Sequence, residues 1–358
     1  MSLEFRDRAL GKKVVRLIHS LMLDEAVRIM HVCGTHEQTI TKHGLRALLP
    51  PNLELLSGPG CPVCVTSAKD IDEAIFLAKS GATLVTYGDM MRVPGSDMSL
   101  AEAKADGADV KVAYSVNDAV RMASNTKNDV VFFGIGFETT APSNAATIFN
   151  KPPENFSILS SHKLVPPAMD ALVGDGDVNF DGVIAPGHVS TIIGTRPYER
   201  FAEMGMPVIV TGFEPLDILF AILMTLKQMR KGQSKVENEY ARVVTEQGNL
   251  RAQKLMNRVF DVTDAYWRGI GEIANSGLAI KSEFCQFDAR EKYDIDVGEV
   301  QDLPPGCSCG LILTAKATPE ECELFGKACT PEKPYGPCMV GIEGTCHNWW
   351  KYGRYGVE

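Results

Sequence analysis

The chain contains 358 residues, of which 45% are hydrophobic and 23% are charged, and its formal net charge is -9. This length predicts two or three domains, because single domains typically span about 100–200 residues. The negative net charge argues against a general binder of nucleic acid or of anionic membranes, since either polyanion would be repelled by such a surface.

The cysteines are numerous and unevenly placed. Residues 1–16 mix charges without an apolar segment, and the longest apolar stretch, 218–226, is too short to span a bilayer. We therefore expect a cytoplasmic protein without membrane contact. Ten cysteines in a reducing compartment favour metal ligands or redox thiols over structural disulfides. Three of them precede residue 65, and the other seven follow residue 284.

Strand and helix patterns alternate along most of the chain. A helix is predicted over 6–23, followed by strands at 27–32, 53–56, 83–87 and 110–114 and by helices at 38–49, 67–79 and 116–123. A second block predicts strands at 130–135, 156–160, 182–185 and 207–211 and a helix at 216–229. This alternation is typical of parallel sheets covered by helices.

Four units follow from these patterns. We predict that 1–25 is a helix packing on the C-terminal domain, and that 26–125 and 126–229 are two similar parallel-sheet α/β domains facing a cleft. The remainder, 230–358, is predicted to be a mainly helical, loop-rich domain that carries the cysteine-rich tail. Ligands of parallel sheets bind where the strands end, so the turns after the strands are the candidate site.

The first of these turns is Cys33-Gly34-Thr35-His36-Glu37. It gathers a thiol, a hydroxyl, an imidazole and a carboxylate in five positions. If the next helix begins just after Cys33, its free N–H groups and dipole favour the thiolate, the form that binds metal or attacks. A buried cysteine at a strand end, beside a capping threonine, explains the motif equally well.

The second turn, residues 58–64, holds Cys61 and Cys64 after two glycines. The Cys-x-x-Cys spacing allows a disulfide, and a position near a helix start suits redox exchange or metal binding. The alternative is half of a zinc knuckle, which needs a second pair of cysteines nearby. No further cysteine occurs before Cys285. Because both turns belong to one predicted sheet, the three thiols are candidates for a shared site.

The C-terminal tail contains a third group of cysteines. Four of them have the spacing C-x12-C-x6-C-x16-C, namely Cys309, Cys322, Cys329 and Cys346. This spacing is compatible with four thiolates around an iron–sulfur cluster, and a structural zinc is the alternative. The spare thiols, any of which can replace a ligand or serve as a redox partner, are Cys285, Cys307 and Cys338.

Two further turns carry polar groups. The Gly-x-Gly turn at 134–136 lacks the third glycine of a dinucleotide-binding motif, because Thr139 stands in its place. Glu138 and Thr139 are instead interpreted as polar groups facing the cleft, and capping of the next helix is an equally good explanation. His188 is either a cleft ligand or, as we favour, a turn histidine bonded to backbone.

Together these motifs closely resemble the HypD family of [NiFe]-hydrogenase maturation proteins. They occur in order between residues 27 and 352: Cys-Gly-Thr-His-Glu at 33–37, Gly-Pro-Gly-Cys-Pro-Val-Cys at 58–64, Gly-Phe-Glu-Thr-Thr-Ala-Pro at 136–142, Ala-Pro-Gly-His-Val-Ser at 185–190, Gly-Phe-Glu-Pro-Leu-Asp at 212–217 and the cysteine tail. The resemblance implies two α/β domains, a third domain with a [4Fe–4S] cluster, and partnership with HypC and with HypE, which delivers cyanide downstream of HypF. In that family the Fe(CN)2CO unit is assembled on the HypC–HypD complex.

The resemblance also assigns roles to residues of this chain. Cys33 corresponds to an iron ligand with His36 as its neighbour, and Cys61 and Cys64 correspond to a redox pair. The cluster ligands it implies are Cys309, Cys322, Cys329 and Cys346, with Cys307 as a substitute for Cys309. These roles describe a maturation factor with redox activity rather than a conventional enzyme.

Two other functions compete with this one. The residues alone, without the family, favour an iron–sulfur thiol–disulfide oxidoreductase that acts on another protein. A zinc-stabilised interaction module without redox chemistry is the third class.

Overall fold

The computed structural model describes residues 7–174 and 178–356 as an α/β protein. The strands are β1 (Val27–His31), β2 (Leu53–Ser57), β3 (Thr83–Thr86), β4 (Val110–Val112), β5 (Val130–Gly136), β6 (Phe156–His162), β7 (Gly182–Pro186), β8 (Val208–Thr211), β9 (Val236–Asn238), β10 (Phe260–Trp267) and β11 (Gly271–Ile280). The α-helices are α1 (Arg8–Leu21), α2 (Gly34–Lys42), α3 (Pro62–Val65), α4 (Ala68–Lys79), α5 (Leu100–Ala105), α6 (Val116–Ser124), α7 (Ala141–Phe149), α8 (Val165–Gly174), α9 (Gly187–Ile193), α10 (Glu199–Glu203), α11 (Pro215–Arg230), α12 (Leu250–Val259), α13 (Ala289–Lys292), α14 (Cys309–Leu313) and α15 (Thr345–Tyr352).

Two parallel sheets organise these elements. The first sheet has the order β2-β1-β7-β8-β9, and the second has the order β4-β3-β5-β6. Every residue of β5, β6 and β7 is buried, as expected for parallel strands covered on both faces by helices. The predicted α/β class with parallel sheets is confirmed.

The strand pairing differs from the predicted division at residue 125. β1 and β2 pair with the later strands β7 to β9, whereas β3 and β4 pair with β5 and β6. In the sequence, all four strands of the second sheet therefore lie between β2 and β7 of the first sheet. Alternating strands and helices indicate that a sheet is parallel, but they do not determine which strands are partners.

Helix α1, which was predicted to pack on the C-terminal domain, packs mainly on α11 within the described residues. Asp7 caps its start by accepting hydrogen bonds from the N–H groups of Ala9 and Leu10. Val14 and Ile18 are fully buried in the same apolar cluster as the apolar face of α11. Arg6, the predicted first residue of this helix, lies outside the described residues.

The region after residue 230 is less helical than predicted. Strands β10 and β11 form an antiparallel hairpin over residues 260–280, with a register shift between Thr263 and Ala265. The short helices α13, α14 and α15 follow, separated by loops. None of the helices in residues 7–174 and 178–356 combines the length and the apolar composition that a membrane crossing requires.

Candidate functional site

Several of the predicted turns meet at the carboxyl end of the first sheet. β1 pairs with β2 on one side and with β7 on the other, so the strand order reverses at β1. Ligands of open parallel sheets bind at such a switch point. Cys33 lies two residues beyond β1, and the Gly34 N–H donates to the Gly60 carbonyl at 3.1 Å, in the turn after β2.

Gly60 allows the two cysteine turns to touch. A Cβ atom at Gly60 would lie 2.2 Å from the backbone nitrogen of Cys33 and 2.4 Å from its Cα. No side chain fits into that space, because both atoms belong to backbone. The turn of Cys33 therefore rests directly on the turn that carries Cys61.

Cys61 and Cys64 form a disulfide. Cys61 caps the N-terminus of α3, Pro62 is the first helical residue, and the Cys64 N–H donates to the Cys61 Sγ at 3.2 Å. Their Cα atoms are 5.3 Å apart, within the usual range for a disulfide. The predicted Cys-x-x-Cys pair is thus oxidised in this structure, and both residues are buried.

Cys33 is half-buried at the N-cap of α2. Burial and then the negative charge of Glu343 raise the pKa of its thiol to about 11, although the N–H groups of His36 and Thr35 oppose this. The helix start does favour the Cys33 thiolate as expected, but its effect is the smaller one. Desolvation and a nearby carboxylate outweigh the helix N-terminus.

His36 is buried and neutral. Burial lowers the pKa of its imidazole to about 3, and Nε2 donates to the Gly212 carbonyl at 3.0 Å, at the end of β8. Its ring lies 5.1 Å from that of Phe213, which stacks on the exposed His188 at 3.8 Å. Among the described residues the His188 ring makes no backbone hydrogen bond, so its favoured interpretation is not confirmed.

The Glu37 carboxylate forms a buried network that the sequence analysis missed. It accepts from Arg46 at 2.9 and 2.8 Å, from Trp349 Nε1 at 2.8 Å and from His31 Nε2 at 2.8 Å. Its location in the first turn of a helix was the only signal in the sequence, because Trp349 is 312 positions away. The network ties the Cys33 turn to α15.

Glu138 and Thr139 have different surroundings. Glu138 is buried, its Oε1 accepts from the Val165 N–H at 3.0 Å, and its Oε2 has no partner in the described part of the chain. Burial raises the pKa of this carboxyl to about 7. Glu138 and Cys33 both act electrostatically on the buried hydroxyl of Tyr198, whereas Thr139 is exposed.

The C-terminal segment covers the cysteine turns. The Cβ of Glu343 lies 2.5 Å from the position that a Cβ on Gly34 would occupy, and the Thr35 hydroxyl donates to Glu343 Oε1 at 3.2 Å. The hydroxyls of Ser57 and Thr345 are 2.7 Å apart. The end of the chain therefore packs on the ends of β1 and β2.

Four tail thiols gather around Cys309. Cys307, Cys338 and Cys346 all lie close enough to Cys309 to act on the titration of its thiol. The Cys309 thiol lowers the pKa of Cys307 to about 7, and Cys307 in turn raises the pKa of Cys309. A Cβ on Gly336 would lie 2.5 Å from the Cys307 Sγ and 2.7 Å from the Cys309 Sγ, so a side chain at this position would displace both thiols.

Two further thiols adjoin this group. Burial raises the pKa of Cys329, and the charges of Cys307 and Cys322 add to the effect. The Cys329 Sγ also accepts from the Tyr335 N–H at 3.4 Å. Cys338, expected to be spare, belongs to the group, while Cys285 is exposed.

The donors of this thiol group fit an iron–sulfur cluster. Arg268 is buried beside Cys307, Cys309 and Cys338, and its Nη2 has no hydrogen-bond partner within the described residues. A cluster held by four thiolates is anionic and would be stabilised by this cation. Within residues 7–174 and 178–356, no three His, Cys, Asp or Glu side chains are arranged to hold a single metal ion.

Comparison with known proteins places the chain in a family. The family model HypD, described as "Hydrogenase formation hypA family", matches residues 9–353. The chain belongs to the HypD family. A HypD maturation factor of Bradyrhizobium diazoefficiens is 45% identical over 98% of this chain and 96% of the relative, and the HypD of Cupriavidus necator is 42% identical over 98% and 97%. A Methanocaldococcus jannaschii protein, named provisionally as a hydrogenase expression/formation protein, is 47% identical over 98% and 99%.

The HypD match spans both sheets and the cysteine tail. The relatives named as HypD are hydrogenase maturation factors and are similar to this chain over nearly their whole length. The family resemblance found in the motifs is thereby confirmed.

Proposed function

We propose that this HypD-family protein acts in hydrogenase maturation as the scaffold on which the Fe(CN)2CO unit is assembled. Cys33 supplies one iron ligand, and the partner protein HypC supplies a second thiolate. HypE, with HypF upstream, delivers cyanide. The observation that supports this most is the contact of the Cys33 turn with Gly60, because it places a free thiol beside a disulfide at a switch point.

The surroundings of Cys33 suit a cation. With a pKa of about 11 the thiol stays protonated at neutral pH in the absence of metal. Binding of Fe(II) as the thiolate complex therefore releases a proton, and the Glu343 carboxylate balances the added positive charge. Thiolates from two proteins leave coordination positions open for cyanide and CO.

The disulfide supplies the second part of the mechanism. Opening the Cys61–Cys64 bond takes up two electrons and two protons, so the pair exchanges two electrons at once. A [4Fe–4S] cluster, when bound, supplies single electrons. Buried Glu138, whose pKa is about 7, is proposed to hold a proton near Tyr198, and Thr139 is too exposed for this role.

The proposed cluster ligands are tail thiols. Cys322, Cys329 and Cys346 retain the roles expected from the sequence. The first ligand is proposed to be Cys309, with Cys307 as its substitute, because both thiols lie beside Gly336 in the same group.

The test is an anaerobic preparation with iron, zinc and sulfide analysis and an infrared spectrum, with and without co-expressed HypC. We expect about four irons with matching sulfide from a [4Fe–4S] cluster, and cyanide and CO bands that require both HypC and Cys33. Bands that persist in Cys33→Ala would overturn the assignment of the iron ligand. One bound zinc ion per chain, with no infrared bands from cyanide or CO, would overturn the proposal that the protein is an assembly scaffold.

The disulfide supports a second candidate, a thiol–disulfide oxidoreductase that acts on a partner protein. In that case Cys33→Ala retains full disulfide reductase activity toward the partner, and Cys61→Ser abolishes it. The scaffold instead predicts that Cys33→Ala loses HypC-bound iron. Infrared bands and thiol titration on the same two variants distinguish the two functions.

A further inference from the structure

Arg268, in the turn between β10 and β11, is a buried cation with one unsatisfied end. The residue is only 1% exposed. Its Nε donates to the Asp302 carbonyl and its Nη1 donates to the Pro94 carbonyl, each at 2.7 Å. Its Nη2 has no hydrogen-bond partner within residues 7–174 and 178–356. A buried donor without an acceptor is costly, so an acceptor is expected at Nη2.

The carboxylate of Asp302 does not supply that acceptor. Its Oδ1 is 4.0 Å from the Arg268 Nε, which is beyond hydrogen-bond length. The two carboxylate oxygens accept instead from the N–H groups of Gly269, at 2.8 Å, and Ala68, at 3.3 Å. Asp302 therefore offsets part of the positive charge of Arg268 but leaves Nη2 unsatisfied.

The tail thiol group is the other neighbour of this guanidinium. The charge of Arg268 interacts with three of its thiols, namely Cys309, Cys307 and Cys338. The backbone packs closely here, because a Cβ on Gly310 would lie 2.1 Å from the Gly269 carbonyl oxygen. The start of α14 thus rests on the turn of Arg268, and sulfur atoms are the acceptors that remain for Nη2.

Backbone carbonyls hold Arg268 in place. Besides the two carbonyls bonded by its side chain, its N–H donates to the Val65 carbonyl at 3.0 Å. Val65 ends α3, the helix that Cys61 caps and that contains Cys64. The turn of Arg268 therefore contacts both the helix of the disulfide and the helix that begins at Cys309. A cation fixed in this way needs little reorganisation when the charge beside it changes.

We propose that Arg268 raises the reduction potential of the cluster held by the tail thiols, by donating hydrogen bonds from Nη2 to a cluster sulfide or to a ligand thiolate. This inference rests on the [4Fe–4S] cluster of the proposed function. Net charge and hydrogen bonds to the sulfurs are the features by which a protein sets such a potential. Uptake of one electron adds one negative charge, so Arg268 stabilises the reduced form more than the oxidised form. Weaker electron donors can then reduce the cluster.

The test is an anaerobic redox titration of the full chain with dithionite, followed by electron paramagnetic resonance of the reduced cluster. In Arg268→Met the ratio of reduced to oxidised cluster at a fixed potential should fall roughly tenfold or more, a shift of about 59 mV for one electron. Arg268→Lys keeps the cation but loses the second donor nitrogen, so its potential should lie between those of Arg268→Met and the wild type.

Arg92→Met is the matched control. Arg92 is also bonded to the tail, through the Pro331 carbonyl at 2.9 Å and the Val340 carbonyl at 3.2 Å, but it is exposed. Solvent and salt screen an exposed charge, so the ratio should change by less than about twofold. A shift as large as that of Arg268→Met would show that no local contact of Arg268 is responsible.

Two outcomes separate this inference from the proposed function. Wild type without iron and sulfide would overturn both, whereas a cluster with the same potential in wild type and Arg268→Met would overturn only the role of Arg268. A measurement on the wild type alone covers the case in which the variants lose the cluster. With arginine carrying the heavy nitrogen isotope in its guanidinium, the electron spin echo of the reduced cluster should show coupling to that nitrogen, and its absence would overturn the hydrogen bond.

Discussion

At the scale of single residues, the Glu37 carboxylate has the largest predicted effect on stability. Glu37→Gln leaves the buried Arg46 guanidinium without its counter-charge, and such a loss typically costs about 3–5 kcal/mol. Urea unfolding followed by circular dichroism measures this change. Glu54→Gln, at a half-exposed ion pair with Arg28, is the matched control and should cost less than about 1 kcal/mol.

The same carboxylate predicts a pH dependence. Burial opposes its ionisation, but Arg46 and His31 outweigh burial and lower the pKa of Glu37 below its ordinary value of 4.5. Because the pKa of Glu37 is lower in the folded state than in the unfolded state, the carboxylate stabilises the folded protein at pH values above its unfolded-state pKa. This contribution is lost as the pH falls through the folded-state pKa. The difference in unfolding free energy between wild type and Glu37→Gln should narrow below pH 4.5. A constant difference would contradict the assignment.

Gly60 provides a prediction about geometry. In Gly60→Ala the new Cβ would overlap the Cys33 backbone, which cannot move without breaking the Gly34–Gly60 hydrogen bond. We expect a lower melting temperature and faster alkylation of Cys33 as its turn is displaced. Gly58→Ala is the control, because its Cβ meets mainly the flexible Met30 side chain at 2.9 Å. Equal effects of both substitutions would show that the contact with Cys33 is not decisive.

Local sequence patterns predicted where the site residues lie along the chain, but not their pKa values or their hydrogen-bond partners. Cys33 does stand at the start of a helix after a buried strand. Its pKa could not be predicted, because Glu343 approaches it from the other end of the chain and burial is a tertiary property. The Glu37 network was missed for the same reason.

At the scale of elements, sequence patterns predicted eight of the eleven strands and five of the fifteen α-helices within the described residues. Helix α4 begins directly after Ser67, the first residue of the helix predicted over 67–79, and the Ser67 hydroxyl accepts from the Asp70 N–H at 3.1 Å. The hairpin of β10 and β11 was missed because most of its first strand is exposed and lacks a continuous apolar run. The pairing of β1 with β7 was missed because alternation does not identify partners.

Helix α1 gives the prediction at this scale. Ile18 is fully buried against α11, so Ile18→Ala should lower the free energy of unfolding by about 2–5 kcal/mol. Leu17→Ala, on a side chain that is 49% exposed, should change it by less than about 0.5 kcal/mol. Urea titration of both variants measures the difference. Similar values for the two would show that α1 does not pack on α11 as described.

At the scale of the whole molecule, distant segments build one site. The first sheet is completed by strands that follow the second sheet, and the tail then returns to cover the ends of β1 and β2. This arrangement brings the tail thiols to the same end of the molecule as the two early cysteine turns. Motif order alone indicated the components of the site, but only the fold shows that Glu343 and Trp349 belong to it.

The contact between the tail and Cys33 can be tested through the Cys33 thiol. Glu343→Gln removes the negative charge that, after burial, raises the pKa of Cys33, and its amide oxygen can still accept from Thr35. The pKa should fall but remain above the ordinary 9.0, because burial is the larger cause. The pH dependence of iodoacetamide alkylation at Cys33, read by mass spectrometry, measures the shift, with exposed Cys285 as internal control. An unchanged or higher pKa would mean that Glu343 does not act on Cys33, and that the tail does not lie against the first turn.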